Sequence, residues 1–110
     1  MAEALDALEA ENLLSDHRFT ENFVLRRTAR GHGPLKIRHE LRQRGIRDEL
    51  AAEYIDGDRL GWCERALAAR HKRFGAAPPE DMRDRSRQTR FLTQRGFEQE
   101  HIRYALGKRE

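Results

Sequence analysis

The sequence predicts an all-α protein, an elongated tandem of three-helix repeats with about seven helices and no sheet. Three observations predict it. First, Lys36 to Ile55, KIRHELRQRGIRDELAAEYI, recurs as Arg87 to Leu106, RQTRFLTQRGFEQEHIRYAL. Leu41 and Leu92, Gln43 and Gln94, Arg44 and Arg95, Gly45 and Gly96, and Glu49 and Glu100 are each 51 positions apart. Self-similarity at such a period is the mark of a tandem helical array, although periodicity alone equally allows two generic helix hairpins. Second, apolar residues recur at helical spacing, and no segment alternates with period two. Third, Gly and Pro punctuate the chain where those helical patterns stop.

The elements follow in order. Ala2 to Leu14 is rich in Ala, Leu and Glu, strong helix formers, with Leu5 and Leu8 on its apolar side. Ser15 is expected to cap a second helix that runs to about Arg30. Phe19, Phe23 and Val24 are its core-facing residues. Gly31-His32-Gly33 breaks it, and Pro34 opens a third helix at the position where a missing N–H costs nothing. Ile37 and Leu41 are the buried pair of that helix. Gly45 and Gly96 follow basic last turns and are expected at positive φ, with Ile46 and Phe97 folding back onto the helix just left. Asp48 to about Ile55 is a short fourth helix. Asp58 caps a fifth, which runs to about Phe74 and carries Leu60, Cys63, Leu67 and Phe74 on one side, with Trp62 packed in the core beside them. Pro78-Pro79 is expected to open the sixth, longer than its counterpart, and Glu98 to Leu106 the seventh. Residues 1–46 are assigned to one repeat, and residues 47–110 to a second with its closing helix.

Composition excludes several classes. One cysteine among 110 residues allows no internal disulfide, and a cytoplasmic location fits. No apolar run approaches the roughly 20 residues of a membrane span. The opening, Met1 to Ala10, reads as the middle of a helix, so the chain is expected to be a fragment. The five histidines are scattered, and no two of them stand at i, i+4 with a neighbouring carboxylate, so no metal is expected. No phosphate loop, nucleophile elbow or Cys-His pair occurs. No catalytic residue and no cofactor are expected.

The basic residues carry the functional signal. The net charge is only +3, so their placement matters more than their number. Arg26, Arg27 and Arg30 lead into Lys36, Arg38, Arg42 and Arg44. In the second copy Arg70, Lys72 and Arg73 lead into Arg83, Arg85, Arg87, Arg90 and Arg95. Both clusters fall at the junction between the second and third helices of their repeat. Bases repeated at intervals suit a periodic polyanion, and a solvated helix face remains the alternative. The filament- or nucleic-acid-binding candidates are Arg26, Arg27, Arg30, Lys36, Arg38, Arg42, Arg44, Lys72, Arg73, Arg87, Arg90 and Arg95.

Several of these stretches resemble the RecX family, regulatory proteins that bind and inhibit the RecA recombinase. Leu13 to Ile46, LLSDHRFTENFVLRRTARGHGPLKIRHELRQRGI, looks like the family's second repeat. An acidic residue and Phe open a helix (Asp16, Phe19), an Arg-rich end follows, then a Gly-x-Gly-Pro break and a helix closing in Leu-x-x-x-Gly-Ile. Trp62, Lys72-Arg73-Phe74-Gly75 and Arg90-Phe91-Leu92-x-x-Arg95-Gly96-Phe97 look like the third. The family's first repeat, with its own Arg-rich helix, has no counterpart here. The resemblance implies a protein that lies along the groove of the RecA–DNA filament; a monomer is expected. It would block filament extension and the recombinase and SOS coprotease activities. The rival expectation is a tandem helix-turn-helix protein that binds DNA without RecA, and a third is a helical scaffold for another protein.

Overall fold

The structure is a computed structural model that describes residues 2–107, with side chains from Ala10 onward. Six helices follow one another: α1 (Ala2–Ala29), α2 (Pro34–Gln43), α3 (Asp48–Ile55), α4 (Arg59–Phe74), α5 (Met82–Arg95) and α6 (Gln99–Leu106). There is no strand among the described residues. The expected elongation is present, with extents of 66 × 22 × 18 Å. The long α1 accounts for much of it, since each helical residue advances the chain by about 1.5 Å.

The break expected at Ser15 is absent. Ser15 lies exposed in the middle of α1. A serine hydroxyl caps a helix only where the backbone is already leaving it. Leu13, Leu14, Asp16 and His17 supply no Gly or Pro to cause that departure, and a mid-helix serine costs only about half a kcal/mol against alanine. The two expected N-terminal helices are therefore one. Leu5 and Leu8, the apolar side foreseen there, lie outside the described side chains.

The repeated segment folds the same way twice. Helix α2 ends at Gly45 (φ 81°) and α5 at Gly96 (φ 96°), a region open to glycine without a Cβ penalty. The Gly45 N–H donates to the Arg42 carbonyl (3.0 Å) and the Ile46 N–H to the Leu41 carbonyl (3.0 Å). The Gly96 N–H donates to Thr93 (3.0 Å) and the Phe97 N–H to Leu92 (3.2 Å). These paired bonds form a Schellman turn, which satisfies carbonyls a helix end leaves free. They seat Ile46 and Phe97 against Leu41 and Leu92, all four buried. Helices α3 and α6 then have eight residues each, again 51 positions apart. Helix α3 packs on α1 and α2, and α6 on α4 and α5.

One apolar cluster runs through both halves. Ile37 and Leu41 are fully enclosed, as is Leu92, and each such side chain contributes about 1.5–3 kcal/mol by burial. Trp62 joins the halves: it is buried, and its Nε1–H donates to the Ile55 carbonyl at 2.8 Å. Core packing was expected of it. Two expected core residues are not in the core. Phe19 is 41% exposed and leans on the Phe23 ring, while Phe23 and Val24 take the buried positions. Leu60 is 63% exposed, because it sits in the first turn of α4, which Asp58 caps from outside by accepting the Gly61 N–H (3.2 Å). Pro78-Pro79 does not open α5 either. A proline disfavours helix in the residue before it, and the start falls after Asp81, whose carboxylate accepts the Asp84 N–H at 2.8 Å.

The halves also meet through backbone. The Gly33 N–H donates to the Arg95 carbonyl (2.6 Å) and the Leu35 N–H to the Gly96 carbonyl (2.9 Å). The free N–H groups that open α2 thus find acceptors in the free carbonyls that close α5, and the two helix dipoles run head to tail. Such approach requires two glycines. A Cβ on Gly33 would lie 2.5 Å from the Phe97 nitrogen, and one on Gly96 would lie 2.6 Å from the Lys36 nitrogen.

Candidate anion-binding groove

The end of α1, the outward side of α4 and the end of α5 enclose a groove of about 360 Å3. Its apolar lining is Ala29, Ala68, Ala69 and Phe91. Its cations are Arg30 from the turn after α1, Arg65, Lys72 and Arg73 from α4, and Arg95 from α5. No carboxylate lines it among the described residues. The small residues create the space. The turn at Gly31 brings the end of α1 against α4, where a Cβ on Gly31 would touch the Ala69 Cβ at 3.9 Å. Helical spacing on α4 then sets Arg65, Ala69, Lys72 and Arg73 along one side.

Four of the twelve candidate cations line this groove: Arg30, Lys72, Arg73 and Arg95. None of the four makes an ion pair among the described residues. Arg73 lies over the Phe74 ring and Arg95 over Phe91, both at 5.0 Å. The others stand elsewhere. Arg27 bonds Glu40 at 3.4 Å and covers the Phe23 ring, which Arg44 also approaches at 4.8 Å. Arg38 pairs with Asp56. Arg42 makes two 3.2 Å bonds to Asp48, and Arg87 pairs with Asp84 at 2.9 Å. Arg26 and Arg90 are exposed, Lys36 is half-buried, and none of these three lines the groove.

Two arginines were read differently from sequence. Arg70, grouped with the basic junction, is buried; its Nε–H donates to Gln88 Oε1 at 2.8 Å and another guanidinium N–H to the Ala77 carbonyl. It holds the 75–81 loop on α5. Arg65 was missed. It lies over Trp62 at 4.6 Å and pairs with the exposed Asp58 at 3.0 Å. Its i, i+7 relation to Lys72 was the signal that could have found it.

The local field is positive. Burial pushes His32 below its usual range, and Lys36, Arg27 and Arg95 push it the same way against Glu40. Asp84 is held below the ordinary carboxylate range, first by its hydrogen bond from Arg87 and then by the Glu80 N–H. Glu98, Glu100 and His101 place possible ligand atoms within 4.8 Å of one another, but they form a helix cap. His101 Nδ1 accepts the Glu98 N–H at 3.2 Å, which puts the imidazole proton on Nε2. Glu100 is paired with Arg59 at 2.8 Å.

Two matched three-helix units, joined through Gly33 and Gly96, define a tandem helical-repeat protein. The second three-helix domain of RecX matches residues 15–55, and the third three-helix domain of RecX matches residues 63–106. The chain belongs to the RecX family, a family of regulatory proteins. It is 46% identical over 96% of its length to Regulatory protein RecX of Chromohalobacter salexigens, covering 69% of that protein. It is 45% identical over 92% of its length to the Halorhodospira halophila protein of the same name, covering 63%. For Acidithiobacillus ferrooxidans the values are 43%, 97% and 67%. The chain thus spans roughly two thirds of the length of these relatives. No described helix is long and apolar enough to cross a membrane.

Proposed function

We propose that the chain binds the RecA–DNA filament and restrains it, limiting recombination and the coprotease activity of the SOS response. The observation that carries the reading is the groove, in which five cations from α4, α5 and the turn after α1 meet, four of them without an ion pair among the described residues. Family membership supports the regulatory role. The mechanism is binding alone. An elongated body lies along a helical polymer, and the cations at the seam between its units, all but Arg65 without an ion pair among the described residues, meet the filament's phosphates or acidic protein surface. We further propose that the working units are α1–α3 and α4–α6, with the boundary after Ile55 rather than at residue 46. The packing of α3 on α1 and α2 supports that division.

The test is titration of the wild type and the Arg30→Gln, Lys72→Gln double variant against RecA filament, naked single strand and duplex at several salt concentrations. Each lost phosphate contact should flatten the slope of log affinity against log salt by about 0.7–0.9. The variant should bind the filament more weakly with an unchanged melt, since both side chains are exposed. Binding without salt dependence would overturn the electrostatic reading. Equal affinity for bare duplex and filament would favour direct DNA binding without RecA.

A further inference from the structure

The groove is built for more than phosphate. Cations on a ridge suffice to hold a nucleic-acid backbone, yet here they border a recess lined by Ala68, Ala69 and Phe91. Its volume, about 360 Å3, falls in the range of small-ligand sites, roughly 300–1,000 Å3. Three of the bordering guanidinium groups are held over aromatic rings: Arg95 over Phe91, Arg73 over Phe74 and Arg65 over Trp62. Arg73 and Arg95, which make no ion pair among the described residues, keep their in-plane donors for a phosphate while the ring fixes their position, whereas Arg65 gives one donor to Asp58. Positive charge beside flat apolar and guanidinium surfaces is the combination that holds unstacked bases of a single strand.

We propose that the groove takes one unstacked nucleotide of a single-stranded nucleic acid. Its base lies against Ala68, Ala69 and Phe91, and its flanking phosphates meet Arg30, Lys72 and Arg73. The inference rests on the reading above, that the groove meets nucleic acid or the filament, and names what enters it. A base within a duplex is paired and stacked and cannot enter without being unpaired. An acidic peptide would satisfy the cations but leave the apolar recess without a flat group to fill it.

The test fills the recess without touching charge. Ala68 is exposed on α4, so Ala68→Trp adds bulk at the groove, with Ala68→Leu as a milder second variant should the first melt early. Affinities are measured by anisotropy for an oligothymidylate, an abasic strand of the same length, the matching duplex and a polyglutamate peptide. Filament binding is measured alongside. The wild type should prefer the oligothymidylate over the abasic strand about tenfold, the scale of one stacked base. Both Ala68 variants should lose that preference and retain the abasic affinity and salt slope. A preference that survives both substitutions overturns the proposal, as does tighter binding of polyglutamate than of the oligothymidylate. The filament reading stands or falls separately, on whether the charge variant of Arg30 and Lys72 loses filament affinity.

Discussion

Gly45 and Gly96 end matching helices with matching hydrogen bonds, but their surroundings differ. Beyond its own chain neighbours, no atom lies within 4 Å of a Cβ placed on Gly45, whereas one on Gly96 would press into Lys36. The turn itself is local. A positive-φ residue, two carbonyls three and four residues before it, and an apolar residue to fold inward are enough to form it. What differs is non-local. At Gly96 the start of α2 has docked, and Gly33 and Leu35 take up the helix-end carbonyls. The same motif therefore serves as a stop at one position and as a stop plus a socket at the other.

The largest effects should fall where the two copies agree. Leu41 and Leu92 are both fully buried, so Leu→Ala at either should cost about 2–5 kcal/mol. Replacing Arg42, whose side chain is 61% exposed in its pair with Asp48, should cost under about 0.5 kcal/mol. Urea melts of the three variants decide it. Similar small losses for all three would break the equivalence of the copies at its foundation.

The next effect should fall where the copies differ. Gly45→Ala adds only the left-handed strain of about 1–2 kcal/mol. Gly96→Ala adds that strain and also forces α2 away from α5, and overpacking of this kind costs about 1–3 kcal/mol more. The difference between the two alanine variants therefore measures the junction itself. Equal losses would mean that the start of α2 yields freely and that the Gly33–Gly96 approach contributes little.

This contrast also marks what could be read from the sequence. The helix ends at Gly45 and Gly96, the buried Leu41 and Leu92, and Pro34 at the start of α2 were legible because each depends on its immediate neighbours. Phe19 and Leu60 were misplaced because an apolar stripe shows which side of a helix is apolar, while another element decides which rung is covered. Ser15 was misread because a capping residue does not itself end a helix. The groove was legible only in part. Charge runs pointed to Arg30, Lys72, Arg73 and Arg95, but the seam that unites them lies between elements far apart in the chain. Arg70 entered the interior through Gln88, and most of the other candidates were neutralised by carboxylates or held over rings. Gly33 and Gly96 were each visible as breaks, and only the fold makes them a pair.

The smallest expected effect belongs to His32, which stands between Gly31 and Gly33. Its side chain is 12% exposed and its Nδ1 lies 3.7 Å from Glu40 Oε1. Lys36 and Glu40 face it from α2, Arg27 from α1 and Arg95 from α5. One carboxylate against three cations and burial leaves its pKa below the ordinary 6.5. A histidine whose pKa is lowered on folding favours the neutral form in the folded state. Its contribution is thus fully present above the unfolded pKa and is lost as pH falls through about 6.5 toward the folded value. Protonation would place a fourth cation where α1, α2 and α5 meet. The wild type should therefore lose more thermal stability than His32→Gln between about pH 8 and about pH 5, a window lying above the main carboxylate titrations. Measuring the same pair of melts in a Glu40→Gln background sharpens the result. Without the carboxylate the acid loss should grow, because the opposing attraction is gone. If instead the wild type gained stability on acidification, the Glu40 contact would outweigh the three cations, and the field at the junction would be less positive than its residues imply.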